Sequence, residues 1–254
     1  MRTVVFGASG EIGRRLGETL QNRGIKVVAA HRSAGVDVYT GTGVARACAG
    51  ADVVVDCVNV TTTRAKVAVD FFGTAARRIA EGAVTAGVGR VVCLSIINAA
   101  DPAVNAKFGY YRGKGEQERV YRELLGPDVL RVVHSAQWFE LAEQLLARTS
   151  LGPVAVVPRM RCRPLAAADA ADAVADAALE PARGDVEVAG PEVIDLADLA
   201  KDVARQDGSP RWVIPVQIGG AGFRTNGLLP RGEFVQAATT VEKWLAGRGG
   251  QVTR

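Results

Sequence analysis

The feature that most constrains this chain is the segment Gly7-Ala8-Ser9-Gly10-Glu11-Ile12-Gly13, which directly follows the apolar segment Thr3-Val4-Val5-Phe6. Three glycines, three residues apart between a strand and a helix, are typical of a turn that binds a dinucleotide pyrophosphate. The first permits a tight turn, the second lets the backbone approach the phosphates, and the third allows close helix–strand packing. The helix start adds free N–H groups and the positive end of its dipole. We therefore predict that a dinucleotide contacts Gly7, Ser9, Gly10, Glu11, Ile12 and Gly13.

The segments around this turn alternate between strand-like and helix-like patterns, as in a parallel sheet with crossover helices. Strands are predicted over Thr3–Phe6, Lys26–Ala30, Val36–Tyr39, Asp52–Val58, Arg90–Ile96 and Val129–His134. Helices are predicted over Glu11–Asn22, Val44–Cys48, Arg64–Ala86 and Tyr110–Leu125. This order predicts an α/β fold with a Rossmann-like, doubly wound parallel sheet.

After His134 the alternation is less regular, which predicts a small C-terminal substrate lobe rather than a second independent domain. Helices are predicted over Trp138–Arg148, Ala168–Leu179, Leu196–Gln206 and Thr240–Leu245, strands over Val154–Val157 and Asp185–Ala189, and a flexible loop at Gly219–Gly222. The 254 residues suit one domain. In this division residues 1–135 form the cofactor-binding core and residues 136–254 cover the substrate.

The composition is that of an ordinary globular protein, with 48% hydrophobic residues, 23% charged residues and a net charge of +4. The basic residues are scattered, so we expect no nucleic-acid partner. No apolar stretch reaches membrane length and no signal peptide fits before the first strand, so we expect a cytoplasmic protein without a membrane partner. The four cysteines have no metal-like spacing, which predicts buried thiols and no metal site.

The residues after the second predicted strand indicate which dinucleotide binds. A site for NAD usually has an acidic residue here to hold the ribose 2′-hydroxyl. This chain has His31-Arg32-Ser33 instead, and Asp37 comes too late. A guanidinium can bind a 2′-phosphate bidentately, so Arg32 and Ser33 favour NADP(H) over the alternative that Arg32 merely ends an exposed strand. Cys57, Val58 and Asn59 follow a further strand and are predicted to contact the same cofactor.

Candidate catalytic residues follow the strand predicted over Arg90–Ile96. Tyr110 and Lys114 are four residues apart and lie on one face of a helix. An ammonium near a phenol, whose pKa is ordinarily about 10, favours the phenolate and moves the group toward working pH. Ser95 is predicted to polarise a substrate carbonyl, and Asn98 competes with it for this role. The alternative is an ordinary surface tyrosine–lysine pair.

The sequence resembles the short-chain dehydrogenase/reductase superfamily, and more specifically its atypical NmrA-like members, over nearly the whole chain. The segments that carry the resemblance are VVFGASGEIGRRL (4–16), ADVVVDCVN (51–59), GVGRVVCLSI (87–96), YYRGKGEQE (110–118) and PLAAADAADAVADAAL (164–179). The resemblance implies that Tyr110 and Lys114 are the catalytic Tyr-x-x-x-Lys pair, with Lys114 also on the nicotinamide ribose and Ser95 as third member. Gly113 and Gly115 depart from the alanines of many relatives and weaken the helix by roughly 1 kcal/mol each.

A substrate pocket is predicted beside these residues. His134, Gln137 and Trp138 follow the strand over Val129–His134, and Phe108, Tyr111 and Trp138 favour a flat or aromatic substrate. The leading hypothesis is an NADPH-dependent reductase of a ketone, enone or quinone-like molecule, as a monomer or homodimer. One alternative is a non-enzymatic NADP(H)-sensing regulator, which predicts a large exposed apolar patch on the lobe. Another is an epimerase or dehydratase that uses the cofactor transiently.

Overall fold

The computed structural model describes residues 1–106, 108–181, 184–218 and 226–249, and the chain forms two compact units. Unit 1 consists of Met1–His134 and Ala171–Val186, and unit 2 of Ser135–Ala170 and Glu187–Arg254. The loop predicted at Gly219–Gly222 lies outside the described residues.

The parallel sheet of the chain has seven strands, which confirms the predicted fold class. Five of them belong to unit 1, in the order β2-β1-β3-β4-β5. They are β1 (Arg2–Phe6), β2 (Lys26–Ala30), β3 (Val53–Asp56), β4 (Arg90–Ile96) and β5 (Leu130–Ser135), which ends at the unit boundary. The valines of β1 and β3 are buried at successive positions, because both faces of a parallel sheet are covered by helices.

The helices that cover this sheet are α1 (Glu11–Asn22), α2 (Val44–Cys48), α3 (Ala65–Thr85), α4 (Pro102–Asn105) and α5 (Gly109–Leu124). A Cβ at Gly109 would come within 2.6 Å of the Ala65 backbone nitrogen, and one at Gly113 within 2.6 Å of the Phe72 ring. α3 and α5 therefore approach so closely that only glycine fits at these positions. Among the described residues, no helix combines the length and the apolar character needed to cross a membrane.

The strand predicted over Val36–Tyr39 is wrong. β2 is followed by a short 3₁₀ turn over Arg32–Ala34 and then by an irregular segment. Gly35 adopts φ 73°, and the Asp37 carboxylate accepts a hydrogen bond of 2.8 Å from the Tyr39 backbone N–H. Such local carboxylate–backbone bonds compete with strand pairing, so the valines at 36 and 38 pack inward from a turn. The described residues of unit 1 thus form five strands of the sheet, where the sequence predicts six strands before residue 136.

The remaining elements belong to unit 2, except for residues 171–179 of α7 and the first residue of β9, which belong to unit 1. They are α6 (Glu140–Thr149), β6 (Ser150–Leu151), β7 (Val154–Pro158), β8 (Arg161–Cys162), α7 (Ala167–Leu179, which continues into unit 1), β9 (Val186–Ala189), β10 (Ile194–Asp195), α8 (Leu196–Asp207), β11 (Trp212–Val216), β12 (Val235–Gln236) and α9 (Val241–Gly249). β9 and β12 pair in parallel, β8 pairs with β10, and β11, β7 and β6 form a three-stranded sheet. Asp195 caps α8 by accepting a hydrogen bond of 3.0 Å from the Ala197 N–H.

Candidate functional site

The glycine turn joins β1 to α1 and lies against the end of β3. Gly7 adopts φ 77°, and a Cβ there would lie 2.7 Å from the Cys57 carbonyl oxygen. A Cβ at Gly13 would lie 2.2 Å from the Gly7 carbonyl oxygen. Both distances are far inside van der Waals contact with backbone atoms, which cannot move aside cheaply. The spacing of the glycines is therefore required by the packing of strand, turn and helix.

The first turn of α1 is open at its N-terminus. Gly10 is the N-cap, and no side chain caps the helix. Ser9 and Gly10 are exposed, so the first N–H groups of the helix are accessible to a bound anion. Glu11 lies in this turn, but its carboxylate accepts a hydrogen bond of 2.7 Å from Arg15. The arrangement fits a pyrophosphate, whose oxygens accept hydrogen bonds from such N–H groups. We call the turn over residues 7–13 the glycine cradle.

Arg32 and Ser33 follow β2, the strand that pairs with β1. Both residues are exposed. Arg32 makes no ion pair with any residue in the described ranges, and Asp37 is held by the backbone of its own turn. A cation without a competing carboxylate suits a phosphate better than a ribose hydroxyl.

The three residues after β3 complete the edge of the sheet. Cys57 and Val58 are buried, whereas Asn59 is exposed. Burial raises the pKa of the Cys57 thiol, with the Asp56 carboxyl raising it further. The thiol is therefore inert at neutral pH, in agreement with the interpretation of the cysteines as buried thiols.

Lys114 lies in a buried polar network that the sequence analysis does not anticipate. Its ammonium donates to the Leu94 carbonyl and to Gln117 Oε1, both at 2.8 Å, and the residue is only 4% exposed. Gln117 Nε2 and the Tyr121 hydroxyl each donate to Asp56 Oδ2 at 2.7 Å. Burial raises the pKa of Asp56, and Lys114 opposes this shift. Lys114 is thus the cation that balances a buried carboxyl at the end of β3.

Asp56 is therefore a residue that sequence reasoning missed. Its position in the sequence, as a single carboxyl within an otherwise apolar strand segment, indicates such a network, because a buried carboxyl requires hydrogen-bonding or charged partners.

Tyr110 and Lys114 meet at one neighbour, the Phe72 ring of α3. The Tyr110 ring stands edge-on to it with centroids 5.7 Å apart, and the Lys114 ammonium lies 4.6 Å from its centroid. This contact depends on the close approach of α3 and α5 at Gly113. Gly113 lowers the intrinsic stability of the helix. It also allows the close approach of α3 and α5 that places Tyr110 and Lys114 beside Phe72.

Ser95, Glu118 and His134 form a second polar cluster. The Ser95 hydroxyl donates to Glu118 Oε1, and His134 Nε2 lies 3.2 Å from Glu118 Oε2. Ser95 and Glu118 are buried. Ser95 can therefore polarise a substrate only by giving up its bond to Glu118. Sequence reasoning missed Glu118, although it is four residues after Lys114 and so lies on the same face of α5.

The residues predicted to line the substrate pocket are divided between the two units. In unit 1, the Phe108 and Tyr111 rings are 6.4 Å apart, and Asn98 follows β4 in a left-handed conformation with φ 57°. In unit 2, Gln137 is buried, and Trp138 Nε1 donates to Ser135 Oγ at 2.9 Å. A pocket shared by these residues stays a prediction.

A Lys114→Met variant should lower the free energy of unfolding by about 3 kcal/mol, because it removes the cation that balances Asp56. Urea unfolding at neutral pH would measure this loss. The loss should shrink in acid, since the raised pKa of Asp56 lets that carboxyl take up a proton and lose its need for a cation. Adding Asp56→Asn should restore part of the stability. A Lys114→Met protein as stable as the parent would contradict this account of the network.

No protein-family model matches the sequence, and no curated protein matches it either. Solved structures do match in three dimensions. A short-chain dehydrogenase/reductase superfamily protein from Agrobacterium tumefaciens with bound NAD is 17% identical with a TM-score of 0.70, over 98% of this chain and 96% of that chain. dTDP-4-dehydrorhamnose reductase from Bacillus anthracis in complex with NADP is 16% identical with a TM-score of 0.71, over 100% and 99%.

An NADPH-dependent quinone oxidoreductase from Escherichia coli, complexed with NADPH, is 18% identical with a TM-score of 0.62, over 86% of this chain and 79% of that chain. At identities this low, the three matches show a shared fold. That fold is the one the sequence resemblance predicts, whereas the likeness to NmrA-like members stays a prediction.

Proposed function

We propose that this protein is an NADP(H)-dependent oxidoreductase that reduces a carbonyl group of a small ketone, enone or quinone-like molecule. The observation that carries the proposal is the cradle at the glycine turn, where a Cβ at Gly13 would lie 2.2 Å from the Gly7 carbonyl oxygen. The start of α1 beside this contact has no side-chain cap, and Ser9 and Gly10 are exposed, so its N–H groups are open to a pyrophosphate. Two solved structures with the same fold contain NADP or NADPH, which supports the choice of cofactor.

In this proposal the backbone around Gly10 and the first turn of α1 hold the pyrophosphate. Arg32 and Ser33 hold the 2′-phosphate, and Cys57, Val58 and Asn59 contact the cofactor where β3 ends. The bound cofactor supplies a hydride. The protein has to bind it, orient the substrate carbonyl and deliver a proton to the carbonyl oxygen.

Tyr110 is the proposed proton donor. The Tyr110 ring and the Lys114 ammonium lie against the same Phe72 ring, which fixes the positions of both members of the proposed pair. Either Ser95, after release from Glu118, or Asn98 polarises the carbonyl. His134, held by Glu118, lies at the end of β5 and serves to orient the substrate.

A second candidate function, an NADP(H)-sensing regulator without turnover, is favoured by one observation. Unit 2 exposes the large apolar side chains Leu151, Val156, Trp212 and Ile214. This is the kind of patch that such a regulator needs for a protein partner. The two functions are separated by mixing the full chain with NADPH and a panel of ketones, enones and quinones. Sustained NADPH consumption supports the reductase, and tight NADPH binding without consumption supports the regulator. An epimerase or dehydratase would convert its substrate with no net consumption.

An Arg32→Asp variant should bind NADPH at least about tenfold more weakly, because a charge-assisted contact to the 2′-phosphate is replaced by repulsion. NADH affinity should stay the same or increase, since the new carboxylate can accept from the ribose hydroxyl. Titrations of both cofactors measure the two dissociation constants. Arg77→Asp, which makes the same charge change on the exposed side of α3, is the control. If Arg32→Asp lowers the affinities for NADPH and NADH by the same factor, Arg32 does not bind the 2′-phosphate.

A further inference from the structure

The three-stranded sheet of unit 2 exposes apolar side chains on one face. In β7, Ala155 and Val157 are fully buried, whereas Val156 between them is 42% exposed. Ile214 of β11 pairs with Val156 and is 48% exposed, and Trp212 on the same face is 52% exposed. The outer face of such a sheet is ordinarily polar. A contiguous apolar face of this kind marks an interaction site.

β11 is an edge strand of this sheet. The Trp212 N–H donates to the Pro153 carbonyl at 2.9 Å, and the Arg159 N–H donates to the Val216 carbonyl at 2.8 Å. Residues 212, 214 and 216 therefore direct their backbone groups toward β7, and the alternation of a strand turns those of Val213 and Pro215 away from it. Within the described ranges, nothing pairs with the Val213 N–H and carbonyl. This edge thus offers one hydrogen-bond donor, the Val213 N–H, and two acceptors, the carbonyls of Val213 and Pro215. Pro215 adds no donor because it has no N–H.

A groove of about 710 Å³ runs between this edge of β11 and α8. We call it the edge groove. Its charged lining residues are the cations Lys201, Arg205 and Arg211, and among the described residues no carboxylate lines it. Lys201 and Arg205 each pair with an aspartate one turn earlier on α8. Such exposed pairs contribute little, so an anionic ligand can compete for both cations.

We propose that the edge groove binds an extended, acidic segment of a partner protein, which adds to β11 as a further strand. Its backbone would pair with Val213, and alternate side chains would face opposite sides. Apolar side chains would then lie against Trp212 and Ile214, and acidic ones toward Lys201 and Arg205. The charge of the lining selects this occupant over a second copy of the chain, which would bring the same three cations. The proposal does not depend on the enzymatic function.

The test uses the full chain and a fluorescein-labelled, acetylated peptide of four Val-Glu repeats, with binding measured by fluorescence anisotropy. Two control peptides have Lys in place of Glu, or a backbone N-methylated at every residue, which cannot donate hydrogen bonds in either strand direction. The Val-Glu peptide should bind at least about tenfold more tightly than either control. Trp212→Ala and the double variant Lys201→Glu/Arg205→Glu should each weaken it by a similar factor. Arg46→Glu, an exposed substitution in unit 1, should leave binding unchanged.

Because Trp212 is half exposed, its replacement should leave the fold intact, which circular dichroism checks. Equal binding of the Glu and Lys peptides would overturn the acidic specificity. Equal binding of the N-methylated peptide would overturn strand addition. Sedimentation of the parent chain as a dimer that Trp212→Ala converts to monomer would assign the face to a second copy and overturn the proposal.

Discussion

A Gly13→Ala variant should lose NADPH binding by at least about a hundredfold. The new Cβ would lie 2.2 Å from the Gly7 carbonyl oxygen and 2.8 Å from the Ala8 Cα. Both neighbours are backbone atoms of the turn proposed to hold the pyrophosphate, so the turn or the helix start must move. Fluorescence titration with NADPH measures the loss, and circular dichroism shows whether α1 still forms.

Two further glycines, Gly17 within α1 and Gly10 at its N-cap, provide comparisons with Gly13. At Gly17 the nearest atom to a new Cβ is 4.0 Å away, so Gly17→Ala should keep NADPH binding and stabilise the protein by about 1 kcal/mol through helix propensity. At Gly10 the Gly7 carbonyl oxygen would be 3.3 Å away, which predicts an intermediate loss. If Gly13→Ala binds NADPH as well as Gly17→Ala does, the glycine cradle is not the cofactor site.

A Tyr110→Phe variant should lower turnover by a factor of about 10²–10⁴, the usual contribution of a positioned proton donor. The phenyl ring keeps the edge-on contact with Phe72, so the fold and NADPH affinity should change little. The measurement is NADPH consumption on the substrate of the carbonyl panel that reacts fastest, together with an NADPH titration of the same variant.

Tyr39→Phe provides a matched loss of one hydroxyl at an exposed tyrosine, whose phenol donates to Asp70, and should leave turnover unchanged. Undiminished turnover in Tyr110→Phe would exclude Tyr110 as the proton donor, but it would not contradict the proposed cofactor site. A fall in turnover that merely follows a fall in NADPH affinity would instead assign Tyr110 a structural role.

Much of unit 1 could be predicted because its signals are local. The bounds of α1, β2 and β4 agree with those predicted, since each segment combines a clear hydrophobic period with a glycine or polar residue at its end. The exception is Val36–Tyr39, where apolar alternation predicts a strand. There the Asp37 carboxylate and Gly35 form a turn, so local hydrogen bonding overrides the pattern.

The environment of Lys114 could not be predicted in the same way. Helical spacing places Tyr110 and Lys114 on one face, and the structure does bring both to Phe72. Spacing says nothing of Asp56, which is joined to Gln117 by a hydrogen bond across 61 residues of sequence. It also says nothing of Glu118, which accepts the hydroxyl of Ser95.

The sequence by itself determined the glycine turn, the alternation of strands and helices, and the cation after β2, because each depends on neighbours within a few residues. Only the tertiary structure decided that Lys114 balances a buried carboxyl, that Ser95 is held by Glu118, and that β11 leaves an apolar face and an edge exposed. These contacts join segments that are far apart in the chain. They depend on which elements the fold packs together, and no local period records that choice.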